Sequence, residues 1–236
     1  MNDLSAKTAL VSGASSGIGL AICECLLARG CRVIGIARDF AKVGIDDPLF
    51  IQYGQDLSDL VASERLLKQI VRETPPNYFI HSAGSGLFGS IEQFSVRQID
   101  DYLRANLTSA AVLSRAVLPT MRRAKAGCLI FIGSESALRA GRKGALYSAA
   151  KFGLRGLSQA LRDDCSRDGI TVSLVNPGMV RTPFFEQQSF RPAAGADNAI
   201  EADDVAEVVE MIIDSRPDMV IDEINLSPRN RSIDFT

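Results

Sequence analysis

Tyr147 and Lys151 stand four residues apart in Ala145–Arg167, a stretch whose apolar spacing predicts a helix. At that spacing both side chains lie on one helical face, about one turn and roughly 6 Å apart along the axis. A tyrosine with the ordinary pKa of about 10 is almost wholly neutral at pH 7. A neighbouring positive charge favours its phenolate, so a phenol beside an ammonium is equipped to give or take a proton at a reacting oxygen. Ser134 stands thirteen residues before Tyr147, preceded by Gly133 at the end of an apolar run. Its hydroxyl can hold such an oxygen and stabilise charge on it. Two polar residues at helical spacing are a common accident on a helix surface, so the trio gains meaning only from its surroundings.

A second constellation lies near the N-terminus. The apolar run Thr8 to Val11 leads directly into Ser12-Gly13-Ala14-Ser15-Ser16-Gly17-Ile18-Gly19, a glycine-rich turn that opens into a helix. Such a turn lets the backbone approach a pyrophosphate, while free N–H groups and the helix dipole favour its negative charge. The spacing is Gly-x-x-x-Gly-x-Gly, not the Gly-x-Gly-x-x-Gly of the commoner dinucleotide fingerprint. On its own, a tight strand-to-helix turn with no ligand gives the same string.

Regular elements must hold these groups in place. Apolar runs at Thr8–Val11, Val33–Ile36, Tyr78–Ile80, Leu129–Ile132 and Val172–Val175 read as buried strands, with Phe50–Tyr53 and Val220–Leu226 as further candidates. Helical patterns alternate with them at Ile18–Arg29, Asp59–Arg72, Val96–Met121 (as two helices), Ala145–Arg167 and Asp203–Ser215. Gly30 and Gly169 sit where C-terminal caps belong, Ser95 with Gln98 has capping-box spacing, and Pro75-Pro76 reads as a turn. The alternation predicts βαβ units around a parallel sheet. No repeat or linker divides the chain, so residues 1–236 are expected to form one domain.

Taken in chain order, the glycine turn, Asp56-Leu57, Ala83-Gly84, Asn106, Ser134, Tyr147 with Lys151, and Asn176–Thr182 resemble the short-chain dehydrogenase/reductase family over about residues 7 to 182. The resemblance implies an α/β, doubly wound Rossmann fold of about seven parallel strands with helices on both faces. It also implies an oxidoreductase that interconverts a carbonyl and an alcohol by hydride transfer. In that scheme Tyr147 is the general acid/base, Ser134 holds the substrate oxygen, and the Lys151 ammonium serves both the cofactor ribose and the phenol. Asn106 would be the helix asparagine that bends its helix and holds a water linking Lys151 to solvent. Gly13, Ser15, Ser16, Gly17, Ile18 and Gly19 would cradle the cofactor, and Asp56-Leu57 would contact its adenine. Ala83 and Gly84 would leave room for its ribose. Pro177, Gly178, Val180 and Thr182 would hold the nicotinamide carboxamide. His81-Ser82 departs from the family's Asn-Asn at this point, and His81 reads as a structural residue.

Cofactor choice turns on Ala37 and Arg38. Ala37 occupies the position where NAD enzymes place an acidic residue on the adenosine ribose. Arg38 follows, with a planar fork suited to a 2′-phosphate. The pair predicts NADP(H).

Composition narrows the partners. Acidic and basic residues nearly cancel, 28 against 26, which leaves no broad basic surface for nucleic acid. No apolar run approaches the roughly 20 residues that span a bilayer, so a soluble, cytoplasmic protein without a membrane partner is expected. Five cysteines without paired spacing are not a disulfide framework, and a single histidine, His81, leaves neither a His-rich zinc site nor any other metal site expected. The partner is then a small-molecule carbonyl or alcohol. The resemblance adds a homodimer or homotetramer paired through the helices carrying Asn106 and Ala145. Residues 183–202 resemble the family's variable substrate loop, and Phe184 and Phe185 suggest a partly apolar pocket. Arg139, Arg142 and Lys143 could attract an anionic substrate but read more readily as solvated basic surface, while Glu135 beside Ser134 departs from the small or apolar residue expected there. The competing reading is an NADP(H)-binding regulatory or interaction protein on the same fold with catalysis lost, against which the intact Asn106, Ser134, Tyr147 and Lys151 argue. Epimerases and dehydratases of the extended branch would use similar residues but usually carry a larger C-terminal domain.

Overall fold

Side chains on a strand alternate between the two faces of a sheet, and here the alternation sorts the core into two layers. The computed structural model describes residues 2–216 and 218–235. Its strands are β1 (Thr8–Ser12), β2 (Arg32–Ala37), β3 (Phe50–Gly54), β4 (Tyr78–His81), β5 (Gly127–Ile132), β6 (Ile170–Pro177) and β7 (Glu223–Leu226). Its α-helices are α1 (Gly17–Ala28), α2 (Leu60–Glu73), α3 (Val96–Leu103), α4 (Ser109–Ala124), α5 (Ala145–Cys165) and α6 (Ala202–Ile213). Ala9, Val11, Val33, Ile80 and Ile130 bury against α1 and α6 through Ile22, Leu26, Val205 and Val209. The intervening Leu10, Ile34, Phe79, Leu129 and Phe131 bury on the opposite face against Leu67 of α2, Leu113 and Val117 of α4, and Leu154 of α5.

Among the described residues the main sheet has seven strands in the order β7-β6-β5-β4-β1-β2-β3, and its pairings are all parallel. Strand order reverses between β1 and β4. In doubly wound sheets the crevice at the carboxyl ends of such strands receives ligands. Ser12, His81, Ile132 and Pro177 therefore end their strands along one rim.

The predicted elements are present with ends moved by a few residues, and β7 pairs only from Glu223, later than the expected Val220. Gly30 and Gly169 adopt φ of 73° and 69°, the left-handed conformation that closes a helix. The Ser95–Gln98 capping box is present. The expected division of Val96–Met121 takes an unexpected form, because α3 and α4 join through a single π turn at Arg104–Thr108. Residues 183–202 are more structured than a loop. Phe190–Pro192 pairs antiparallel with Ile233–Phe235, and Ile200–Glu201 pairs with Val180–Arg181. No helix among the described residues is long and apolar enough to cross a membrane.

Candidate active site

The turn from β1 into α1 is closed by its glycines. Gly13 has φ 73° and donates its N–H to Ile36 O at 2.8 Å, and a Cβ there would fall 2.8 Å from the Ala83 backbone. Gly19 is buried, and a Cβ on it would lie 2.1 Å from Gly13 O. It shapes the turn from within, whereas Ser15, Ser16, Gly17 and Ile18 form the rim. A Cβ on Gly17 would meet the Thr182 side chain at 3.1 Å, so the segment after β6 closes over the turn. Asp59 caps α2 and a box formed by Glu201 and Asp204 caps α6, but α1 has neither a capping side chain nor an acid in its first turn. An uncapped helix start behind a glycine turn fits an anionic group.

Farther along the rim, Ala37 is buried and Arg38 is exposed at the end of β2. Asp56 Oδ1 accepts hydrogen bonds from the Ser58 N–H and hydroxyl, both at 2.9 Å. The backbone N–H of Ser58 is the main reason its carboxyl lies below the ordinary range, with a smaller contribution from Arg38. Leu57 is buried in the layer beneath α2.

Ser134, Tyr147, Lys151 and Asn106 come from three separate segments and converge beside this turn. Lys151 is buried and donates from Nζ to Ile132 O at 3.0 Å, with its Nζ 5.9 Å from the Tyr147 ring centroid. Ser134 is fixed by a clamp from β6, in which its N–H donates to Asn176 Oδ1 at 3.2 Å while Asn176 Nδ2 donates to Glu223 and Asn225. Gly133 makes that reach possible, since a Cβ there would sit 2.1 Å from Asn176 Oδ1. Asn106, inside the π turn, donates to Tyr102 O at 2.8 Å and accepts from the Ser85 N–H at 2.7 Å. It thereby ties the α3–α4 junction to the segment after β4. Gly84 lies between these groups, because its Cβ would be 3.1 Å from Asn106 Oδ1 and 3.7 Å from Lys151 Nζ.

Burial dominates the electrostatics of the site before cofactor binds. Burial raises the Tyr147 pKa, a hydrogen bond from Ser134 opposes the rise, and the Glu135 charge adds to it. Lys151 does not reverse this. Its own pKa is pushed down to about 8 by burial, so at pH 7 it is still mostly the ammonium.

His81 is fully buried, with Nδ1 2.9 Å from Ser12 Oγ, and Ser12 Oγ also accepts the Ala83 N–H at 3.3 Å. It thus ties β1 to β4 at the point where strand order reverses. Burial pushes its pKa down from 6.5 to about 3, with the Lys151 charge second. The unfolded chain takes up a proton near pH 6.5 and the folded one does not. Stability associated with His81 is therefore complete above that pH and is lost as pH falls toward 3, at about 1.4 kcal/mol per pH unit. His81→Asn should reduce the stability lost between pH 7 and pH 5 by about 2 kcal/mol. Urea unfolding at the two pH values checks this, and equal losses in both proteins would refute it.

A cleft of about 180 Å³ is lined by Ser134, Glu135, Tyr147, Lys151, Gly178 and Thr182. Sequence reading placed Asn176 in the Pro-Gly segment without a role of its own and did not name Phe88 or Phe190, which line the same cleft. Asn176 is adjacent to the Pro-Gly motif, but nothing local signals its reach to Ser134. Arg139, Arg142 and Lys143 are exposed and are not part of the lining. A larger groove of about 540 Å³ between α2 and α4 holds none of the residues singled out above.

Known proteins agree with this architecture. The family model for short chain dehydrogenases matches residues 7–192. A 3-oxoacyl-(acyl-carrier-protein) reductase of Salmonella typhimurium is 35% identical over 195 residues, 80% of each chain. An uncharacterized oxidoreductase of Staphylococcus saprophyticus is 27% identical across 97% of this chain and all of its own length. The crystal structure of a metagenomic short-chain oxidoreductase in complex with NADP superposes with a TM-score of 0.81 at 28% identity, covering 96% of this chain and 99% of that one. The chain belongs to the short-chain dehydrogenase/reductase family of oxidoreductases.

Proposed function

We propose that this protein is an NADP(H)-dependent oxidoreductase that interconverts a small-molecule carbonyl and its alcohol, with residues 1–236 acting as one cofactor-binding and catalytic domain. The observation that carries the reading is the convergence of Ser134, Tyr147 and Lys151 on one cleft beside the uncapped start of α1, with Asn106 bonded to the N–H of Ser85 in the cleft wall. When bound, the nicotinamide cofactor supplies or accepts the hydride. Ser134 positions the substrate oxygen, and Tyr147 gives it a proton in reduction or removes one in oxidation. Lys151 orients the cofactor ribose, and its ammonium, together with the cationic nicotinamide of NADP⁺, favours the phenolate. Asn106 holds the π turn that places this end of α4 against Gly84 and Lys151.

NADP(H) is favoured over NAD(H) by the absence of an acid at Ala37 and the exposed Arg38 beside it. The NADP held by the related metagenomic enzyme supports the same choice. A charge-assisted contact to the 2′-phosphate is worth about 1.5 to 3 kcal/mol, so Arg38→Ala should weaken NADPH binding roughly 10- to 100-fold and NADH binding much less. Adding Ala37→Asp should invert the preference. Fluorescence titration of both cofactors checks this, and wild type binding NADH as tightly as NADPH would overturn the assignment. The activity is tested by following NADPH absorbance against ketones, keto acids, acyl thioesters and quinones. Cofactor binding without turnover of any of them would favour a regulatory protein.

A further inference from the structure

Phe88 meets Phe184, Phe185 and Phe190, about a hundred residues later in the chain, beside Tyr147. The Phe88 ring centroid lies 5.0 Å from that of Tyr147 and 4.9 Å from that of Phe190. Phe184 lies 5.9 Å from Tyr147 and 5.0 Å from Phe185, which in turn lies 5.8 Å from Phe190. Gly86 belongs to the same construction, because a Cβ there would stand 2.7 Å from Phe184 and 2.8 Å from Phe88. The pairing of Phe190–Pro192 with Ile233–Phe235 anchors the outer end of this wall. All four rings line the cleft and all remain partly exposed. A flat apolar group entering beside Tyr147 would cover them and gain both the burial and the edge-to-face contacts that aromatic rings favour.

The charges lining the cleft are equally selective. They are those of Glu135 and Lys151. Lys151 is turned to Ile132 O, whereas Glu135 follows Ser134 directly, with Oε2 3.2 Å from where a Cβ on Gly178 would be. Its ion-pair partner, Arg231, is 4.0 Å away and exposed, so this long pairing leaves the carboxylate's charge largely uncancelled where it lines the cleft. An anionic substituent on a carbonyl held by Ser134 would face this like charge, and such juxtapositions are strongly disfavoured.

We propose that the substrate is an uncharged carbonyl compound bearing an aromatic ring on its carbonyl carbon, or the matching benzylic alcohol, and that Glu135 is the specificity-determining residue that excludes carboxylates. The proposal rests on the carbonyl-reductase reading above. In the step itself the carbonyl carbon gains a hydride from NADPH and its oxygen gains a proton from Tyr147. The C=O π bond is lost, and NADPH leaves as NADP⁺.

Acetophenone, benzoylformate and butanone separate the two features, since the second adds a carboxylate to the ring ketone and the third lacks the ring. Wild type should show a kcat/KM for acetophenone at least ~10-fold above either of the others. Glu135→Gln should raise the benzoylformate-to-acetophenone ratio at least ~10-fold, and Phe88→Ala should lower the acetophenone-to-butanone ratio by a similar factor. Ligand-detected NMR with 1-phenylethanol and mandelate, on the Tyr147→Phe protein with NADP⁺, reads binding independently of turnover. There 1-phenylethanol should bind and mandelate bind at least ~10-fold more weakly, a gap that Glu135→Gln narrows. Selective binding of 1-phenylethanol with no reduction of any carbonyl by wild type would sink the reductase reading and keep the ligand class. Efficient reduction of benzoylformate or butanone at parity with acetophenone would overturn the ligand class and keep the reductase. Absence of both binding and turnover would overturn both.

Discussion

Tyr147→Phe is expected to bind NADPH almost as wild type does and to turn over at least ~10²-fold more slowly, the low end for losing a positioned acid or base. The substitution removes one oxygen and keeps the ring, so the contacts with Phe88 and Phe184 at 5.0 and 5.9 Å survive and folding should be little disturbed. Only the hydrogen bond with Ser134 and the transferable proton are lost. The pH dependence adds a second readout. Burial holds the Tyr147 phenol above its ordinary pKa before cofactor binds, so alcohol oxidation, which needs the phenolate, should rise with pH across the alkaline range. Carbonyl reduction, which needs the phenol, should fall over the same range. The variant's residual rate should show neither trend. Steady-state rates in both directions, with fluorescence titration of NADPH, decide the matter, and wild-type turnover in the variant would remove Tyr147 from the mechanism.

The groups that sequence reading found are those whose geometry is set locally. Tyr147 and Lys151 share one helix, so their spacing alone places them on one face. Gly13, Gly17 and Gly19 share one turn, whose closure depends on contacts within the turn and with the neighbouring strand ends. Strand and helix patterns were equally legible, because fully buried parallel strands read as continuous apolar runs between amphipathic helices. What escaped detection depends on pairs far apart in the chain. Asn176 reaches Ser134 only because β5 and β6 are neighbours and Gly133 leaves the space. Phe190 joins Phe88 over the cleft through a pairing with Ile233–Phe235, a strand of three residues in a polar context with no detectable period. At Asn106 the resemblance anticipates a bent helix, but the bond to Ser85 that fixes the π turn against the segment after β4 comes from outside it. The burial that raises the Tyr147 pKa before cofactor binds is likewise set by the fold, since no sequence neighbour encodes it.

Lys151→Met should separate function from stability most sharply, because the buried ammonium is costly to the fold in the absence of cofactor. Lys151 has its pKa pushed down to about 8 by burial, against an ordinary 10.5. Between those values the unfolded chain binds the proton more fully than the folded one, so wild-type stability rises as pH increases through that window and is lower by up to about 3 kcal/mol below it. Methionine fills much of the lysine stem's volume without a charge. It loses the hydrogen bond to Ile132 O, worth about 1.5 to 3 kcal/mol, so at pH 7 the two effects should nearly cancel and leave the variant close to wild type in stability. Its stability should not rise from pH 8 to pH 10.5. Activity should respond very differently. Loss of an ammonium proposed to serve both ribose and phenol should weaken NADPH binding roughly 10- to 100-fold and cut turnover by ~10²-fold or more. Denaturant unfolding across the alkaline range and cofactor titration on the same preparations provide both readouts. A variant that keeps its cofactor affinity and turnover would show that the Tyr147–Lys151 spacing is an accident of the α5 surface, and a variant that unfolds at pH 7 would show that the ammonium is a structural support.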